Sequence, residues 1–89
     1  MMELRFTAKF KRGYERAKKR GKDISKLELT LEALVRGEAL PEAMRDRSLG
    51  GTYRGHRECH IEPDWLLIYR IDEDGLVLVA TRTGNQASY

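Results

Sequence analysis

Apolar residues recur at three- and four-residue spacing in two stretches near the start of the chain, which predicts two amphipathic helices. The first apolar stripe consists of Phe6, Phe10, Tyr14 and Ala17. Thr7 is placed to cap this helix, which we expect to run to about Lys19 or Arg20 and to stop at Gly21. Gly13 lies inside the helix and weakens it by about 1 kcal/mol relative to alanine.

The second apolar stripe predicts a helix that begins near Asp23 or Ser25 and ends at Gly37. Ser25 and Glu28 have the spacing of a capping box. The stripe itself consists of Ile24, Leu27, Leu31 and Leu34. Because only a few residues separate the two helices, we expect them to pack as an antiparallel hairpin.

Strand patterns flank this helical pair. The predicted strands span 2–6, 52–61, 65–71 and 76–83, with a loop at 38–51 and a hairpin turn at 72–75. A meander this small does not fold alone, so the helices must cover one of its faces, and the other face can be open. The predicted fold class is therefore α+β, with an N-terminal strand and two-helix hairpin packed on a mainly antiparallel sheet of about four strands.

Length and composition limit the class of protein. The 89 residues predict one domain with a small core, spanning 1–89. The chain has no apolar stretch long enough to cross a membrane and no N-terminal signal segment, so we expect a cytoplasmic protein. The single Cys59 fits a reducing compartment.

Positive charge is concentrated at one end of the chain. The first 22 residues carry nine lysines and arginines but only two glutamates, whereas the formal net charge is +3. This asymmetry predicts a polyanionic partner, with nucleic acid or the ribosome ahead of a membrane. The alternative is an ordinary solvated helix face. The residues expected to contact the ribosome are Lys11, Lys18, Lys19 and Arg20.

Two groups that can move protons lie on either side of one predicted turn. His60 closes a strand, Pro63 favours a turn, and Asp64 opens the longest apolar run of the chain. An imidazole titrates near neutral pH and therefore suits a general acid or base. Asp64 can act as a base or orient His60.

Arg82 is expected beside this turn, because a meander returns the end of its last strand to that side of the sheet. A guanidinium there can hold a phosphate bidentately. Trp65 and Tyr89 are candidate surfaces for stacking against RNA bases. The competing interpretation makes His60 a surface residue, Asp64 a turn former and Trp65 part of the core.

The run from 56 to 60 contains two histidines and a cysteine, which raises the hypothesis of a metal site. That spacing suits a helix, whereas this run is predicted to be extended. Cys59 and His60 would then point to opposite faces of the sheet. We therefore expect neither a metal nor another cofactor.

The sequence RECHIEPDWLLIY at 57–69, followed by RTG at 82–84, resembles the YafQ branch of the RelE/ParE toxin superfamily. The similarity covers nearly the whole chain, and the H-x-x-P-D-W core is specific to that branch. The resemblance implies a bacterial type II toxin that enters the ribosomal A site and cuts translated mRNA. It also implies metal-free attack of a ribose 2′-OH on the adjacent phosphate. A cognate antitoxin normally neutralises such toxins, and the complex usually represses its own operon.

The resemblance also implies roles for individual residues. By position, His60 and Asp64 match the acid/base residues of the family, Arg82 matches the arginine that stabilises the phosphorane, and Trp65 matches the indole beside the site. The cognate antitoxin is expected to be acidic. Operator DNA is expected to be bound only through the antitoxin complex.

The chain departs from the family pattern at two positions where histidines are usual. Arg47 follows the loop aspartate, and Gln86 follows the RTG tripeptide. Arg47 can bind phosphate but cannot shuttle protons, and Gln86 can only form hydrogen bonds. The chain is thus a weakened natural toxin, a toxin with redistributed roles, or an engineered inactive one.

Two further alternatives remain at the level of the sequence. The first is a non-catalytic binding protein that keeps the fold and the antitoxin interaction. The second is the gyrase-inhibiting ParE branch, against which the intact His60, Asp64 and Trp65 argue.

Overall fold

The computed structural model describes residues 1–85, which form a five-stranded mixed sheet with two helices on one face. The elements are β1 (Glu3–Phe6), α1 (Ala8–Lys19), α2 (Ile24–Val35), β2 (Arg47–Ser48), β3 (Arg57–Glu62), β4 (Trp65–Asp72) and β5 (Val77–Gly84). The strand order is β1-β5-β4-β3-β2, in which β1 pairs parallel to β5 and all other neighbours are antiparallel. The predicted α+β class is confirmed, with five strands instead of about four. Within 1–85 no helix has the length and apolar character needed to cross a bilayer.

The boundaries of α1 agree with the sequence signals. The Thr7 hydroxyl accepts a hydrogen bond of 3.0 Å from the Phe10 backbone N–H and donates one of 2.6 Å to the Thr81 carbonyl. Gly21 adopts a φ of 77° just beyond the helix, a conformation that glycine allows at little cost. The cap therefore ties the start of α1 to β5 as well as beginning the helix.

Gly13 marks the place where α1 packs most closely on β5. A Cβ atom at this position would lie 2.1 Å from the Thr83 carbonyl oxygen. The sequence predicts only a helix-weakening effect for Gly13, whereas the structure shows that close packing of the helix requires a glycine there.

The start of α2 differs in detail from the predicted capping box. Asp23 is the N-cap, and its carboxylate accepts a hydrogen bond of 3.1 Å from the Ser25 backbone N–H. Asp23 therefore satisfies the first free N–H group, and Ser25 lies within the first turn. Gly37, with a φ of 76°, ends the helix region as predicted.

The predictions for residues 38–61 are partly wrong. The expected loop contains a 3₁₀ turn at Glu42–Met44 and the short strand β2, and the strand expected from residue 52 begins only at Arg57. A second 3₁₀ turn occupies Gly51–Tyr53. β2 exists because it pairs with β3, and two residues are too few to show an alternating pattern.

The helices cover one face of the sheet and bury the main core against it. The core residues are Phe10, Ala17, Leu27, Leu31, Leu34, Cys59, Trp65, Leu67, Tyr69, Leu78 and Ala80. The other face is less open than predicted. Leu66 and Ile68, which alternate with the core residues of β4, are fully buried there. Both faces therefore contribute to the burial of β4.

Candidate active site

Charged residues from three strands form one row across the face that points away from the helices. Arg47 pairs with Glu58, Glu58 with Ile68, and Ile68 with Arg82. His60 lies two residues beyond Glu58 and so shares this face. Because β3 and β5 flank β4, the backbones at His60 and Arg82 are on the order of 10 Å apart. The structure thus brings three predicted site residues, on β2, β3 and β5, to one face.

Glu58 lies at the centre of these residues. Its Oε1 atom is 3.3 Å from Arg47 Nη2 and 3.7 Å from His60 Nε2, and its side chain is only 7% exposed. A carboxylate buried to this extent needs cationic or hydrogen-bonding partners. Glu58 therefore holds both Arg47 and His60. Glu58 was not among the predicted site residues, although its two-residue spacing from His60 on a strand was a usable signal.

The His60 ring is held by a hydrogen bond at one of its two nitrogens. Nδ1 is 3.2 Å from the Pro63 carbonyl oxygen, and this contact requires a proton on Nδ1 because the carbonyl can only accept. Nε2 faces Glu58 across 3.7 Å, which is longer than a hydrogen bond. The His60 side chain is 13% exposed, and Nε2 is the ring nitrogen that no hydrogen bond holds among the described residues.

Asp64 lies at the predicted turn but lines a different cavity from His60. Pro63 and Asp64 form the turn between β3 and β4, and Asp64 is exposed. It lines a small cavity on the α1 side of the turn. Within 1–85 no hydrogen bond joins Asp64 to His60, so the turn separates the two predicted acid/base residues.

Arg82 contacts a residue that the sequence analysis did not select. Its Nη1 donates a hydrogen bond of 3.0 Å to the Tyr53 hydroxyl. The Tyr53 ring meets the His56 ring edge-on, with centroids 5.6 Å apart. His56 Nε2 is buried and has no hydrogen-bond partner among residues 1–85. The turn before β3 therefore lies beside Arg82 on the sheet face that points away from the helices, which we call the polar face.

Asp46 fixes the short strand that carries Arg47. Its Oδ1 accepts a hydrogen bond of 2.6 Å from the Tyr69 hydroxyl, and its carboxylate also pairs with Arg57 at 3.4 Å. Burial raises the pKa of Tyr69, and the hydrogen bond to Asp46 raises it further, so Tyr69 remains a neutral donor. This anchor explains how a two-residue strand can position a side chain.

The structure corrects the prediction that Trp65 stacks against RNA bases. The indole is 2% exposed, and its Nε1 donates a hydrogen bond of 3.0 Å to the Thr83 hydroxyl. The Lys22 ammonium lies 5.9 Å from the indole centroid. Trp65 therefore belongs to the core and supports the turn from below. Gln86 and Tyr89 lie outside the described residues.

The arrangement of residues 56–60 does not support the hypothesis of a metal site. Cys59 packs in the core beneath the helices, whereas His60 is on the opposite face, as the extended backbone predicted. Burial raises the pKa of the Cys59 thiol to about 12, so the thiol stays protonated near neutral pH. In the part of the chain that the structure describes, no three His, Cys, Asp or Glu side chains group to hold a metal ion.

The cations predicted to contact the ribosome are all exposed. Lys18 and Lys19 lie in the last turn of α1, and Arg20 caps it. Lys11 instead borders an apolar groove between β1 and the two helices.

Two guanidinium groups and an imidazole around a buried carboxylate define a small α+β protein equipped to bind phosphate esters and to move protons beside them. A profile of YafQ, described as a bacterial toxin of type II toxin–antitoxin systems, matches residues 2–88. The chain belongs to this YafQ toxin family, as its sequence motif predicted.

Known relatives agree over nearly the full length. The mRNA interferase toxin YafQ of Escherichia coli strain K12 is 32% identical over 87 residues, covering 97% of this chain and 92% of that protein. The crystal structure of YafQ from E. coli strain BL21(DE3) superimposes with a TM-score of 0.90 at 32% identity, over 99% of this chain and 97% of that one. The E. coli DinJ–YafQ complex gives a TM-score of 0.89 at 31% identity, again over 99% and 97%.

Proposed function

We propose that this toxin is an endoribonuclease that cuts translated mRNA in the ribosomal A site, and hence acts in the cytoplasm as a single domain. The observation that carries the proposal is the placement of Arg47, His60 and Arg82 on one sheet face, with the buried Glu58 carboxylate beside Arg47 and His60. The mRNA interferase name of the E. coli relative supports the same reaction.

The reaction is an internal transfer at phosphorus. The ribose 2′-oxygen attacks the adjacent phosphate and loses its proton, and the P–O5′ bond breaks as the 5′-oxygen gains a proton. The products are a 2′,3′-cyclic phosphate and a 5′-OH. Two proton transfers and a build-up of negative charge on the phosphate must therefore be assisted.

The polar face supplies these functions through its own side chains. Arg82 and Arg47 stabilise the developing charge on the phosphate. His60 exchanges one proton through Nε2, because Nδ1 is held by Pro63. Asp64, across the turn, exchanges the other. General acid–base catalysis of this kind contributes about 10²–10⁴-fold.

Glu58 acts as a positioning residue in this mechanism. Its buried carboxylate lies 3.7 Å from Nε2 of the imidazole, beside the nitrogen that exchanges the proton. It also holds Arg47, which replaces a histidine of the family pattern and provides charge but no proton. The rate should therefore be lower than in a toxin with the full histidine set.

Docking and inhibition use other surfaces. Ribosomal RNA is contacted by the exposed cations Lys11, Lys18, Lys19 and Arg20, so ribosome affinity should fall steeply with salt. A cognate antitoxin, which we expect to be acidic, neutralises the basic chain, and the complex binds operator DNA. The DinJ–YafQ complex of E. coli supports this partner.

Primer extension on an mRNA in a purified translation system tests the proposal. The toxin should produce new 5′ ends at A-site codons, and His60→Ala should remove them. Glu28→Gln, which lies on α2 on the opposite side of the sheet, is the control and should cut like the wild type. Intact mRNA in the presence of folded wild-type protein would favour the non-catalytic binding protein instead.

A further inference from the structure

A second cationic surface lies where α1 ends beside the turn between β3 and β4. It is a cavity of about 120 Å³, which we call the turn cavity. Its lining includes Arg16, Arg20, Lys22, Asp64, Trp65 and Gly84. Three cations thus line a recess that contains one carboxylate, and Asn85 adds a further polar side chain.

Two of these cations are available to an external anion. Arg16 and Arg20 are one helical turn apart and so project side by side. Neither forms an ion pair within residues 1–85, whereas Lys22 Nζ is 3.2 Å from Glu62 Oε1. A pair of guanidinium groups presents parallel N–H donors that match the oxygens of a phosphate.

The usual explanation for cations at this end of a helix does not account for the cavity. Positive side chains in the last turn of α1 offset the negative end of the helix dipole. Lys18 and Lys19 serve that purpose equally well, but neither lines the turn cavity. What distinguishes Arg16 and Arg20 is that they face Asp64 across a recess.

The turn cavity adjoins the polar face. Asp64 lines the cavity and directly follows Pro63, whose carbonyl oxygen contacts the His60 ring. We propose that the turn cavity binds the RNA phosphate next along the chain from the one that is cut. This inference rests on the proposed function. The nucleotide that joins the two phosphates would lie over Asp64, which gives that carboxylate access to a ribose hydroxyl despite its separation from His60.

The test measures binding of a fluorescein-labelled RNA hexanucleotide by fluorescence anisotropy. The RNA carries 2′-O-methyl groups to block cleavage, and one phosphate at a time is replaced by an uncharged methylphosphonate. The proteins compared are the wild type, Arg16→Gln, Arg82→Gln and Arg12→Gln. Arg12 is the matched control, because it is exposed on the same helix and lies outside the turn cavity.

We expect one neutral linkage to weaken wild-type binding roughly 10-fold, as the loss of a charged hydrogen bond does. The same linkage should not weaken binding by Arg16→Gln any further, because the contact is already lost. A second linkage should lose its effect in Arg82→Gln, and it should be adjacent in the RNA to the linkage that couples to Arg16. Arg12→Gln should respond to both neutral linkages as the wild type does. If Arg12→Gln and Arg16→Gln weaken binding equally with no preferred linkage, if the coupled linkages are not adjacent, or if no hexanucleotide binds, the inference is wrong.

This measurement does not require cleavage, so it separates the two proposals. Coupling to Arg16 without any cleavage by primer extension would contradict the nuclease and leave an RNA-binding cavity. Cleavage by the wild type without coupling to Arg16 would support the nuclease and overturn the cavity.

Discussion

The two faces of the sheet use the same strands in different ways. On the helix-covered face, the buried polar groups satisfy one another, as when Trp65 donates to Thr83 and Thr83 donates to the Leu66 carbonyl at 2.8 Å. On the other face, Glu58 gathers a guanidinium group and an imidazole, from Arg47 and His60. Because successive side chains of a strand point to opposite faces, neighbouring residues serve the core on one face and the proposed chemistry on the other.

The largest expected effect is on the helix-covered face. Trp65→Ala should lower the free energy of unfolding by about 3–5 kcal/mol, because it empties the largest buried side chain of the core. Urea denaturation measures the change. Leu29→Ala, at an exposed position of α2, should stay within about 0.5 kcal/mol of the wild type.

Arg82→Ala changes the other face of the sheet, and its main effect should be on cleavage instead of stability. Loss of its charge stabilisation should cost about 2.7–4 kcal/mol in the cleavage step, by analogy with the removal of one oxyanion donor. Unfolding measured in parallel should change far less. Tyr53→Phe removes the hydrogen bond to Arg82 but keeps the guanidinium, and it should cut much faster than Arg82→Ala. If both variants lose the same cleavage rate, the hydrogen bond between Tyr53 and Arg82, and not the guanidinium charge, would be what cleavage requires.

A smaller effect is expected where α1 meets β5. Gly13→Ala places a Cβ atom against the Thr83 carbonyl and should destabilise the protein by about 1–3 kcal/mol, although alanine favours helix formation. Lys9→Ala in the same helix is the control, with an expected change within about 0.5 kcal/mol. A stabilised Gly13→Ala protein, measured by urea denaturation, would mean that the helix does not approach the sheet this closely.

The smallest effect concerns pH. Hydrogen bonds from Lys26 and then Lys22 lower the pKa of Glu62. This carboxylate therefore stabilises the folded state above its ordinary pKa of about 4.3, and the contribution disappears as the pH falls through the lowered pKa. The difference in thermal midpoint between wild type and Glu62→Gln should shrink below about pH 4. A difference independent of pH would exclude this linkage.

Local signals in the sequence predicted most of the fold. The helical stripes, the Thr7 cap, the glycine stops and the meander from β3 to β5 all depend on neighbouring residues. The pairing of β1 with β5 and the existence of β2 depend on distant partners, which no local pattern reveals.

The site was predicted in part for the same reason. His60 and Arg82 stand out by residue type, and the structure places them on one face. The role of Glu58 depends on which residue β2 brings opposite it, and the role of Gly13 depends on what α1 packs against. For Trp65 the sequence left both RNA stacking and the core open, because residue type alone does not show burial.

Single-turnover cleavage of ribosome-bound mRNA at saturating toxin tests the division between the two faces most directly. We predict that His60→Ala loses about 10²–10⁴-fold in rate while its unfolding free energy changes little. Arg47→His should increase the rate, because it restores a group that can carry a proton. Full activity of His60→Ala together with an unchanged rate for Arg47→His would contradict the assignment of proton transfer to this face.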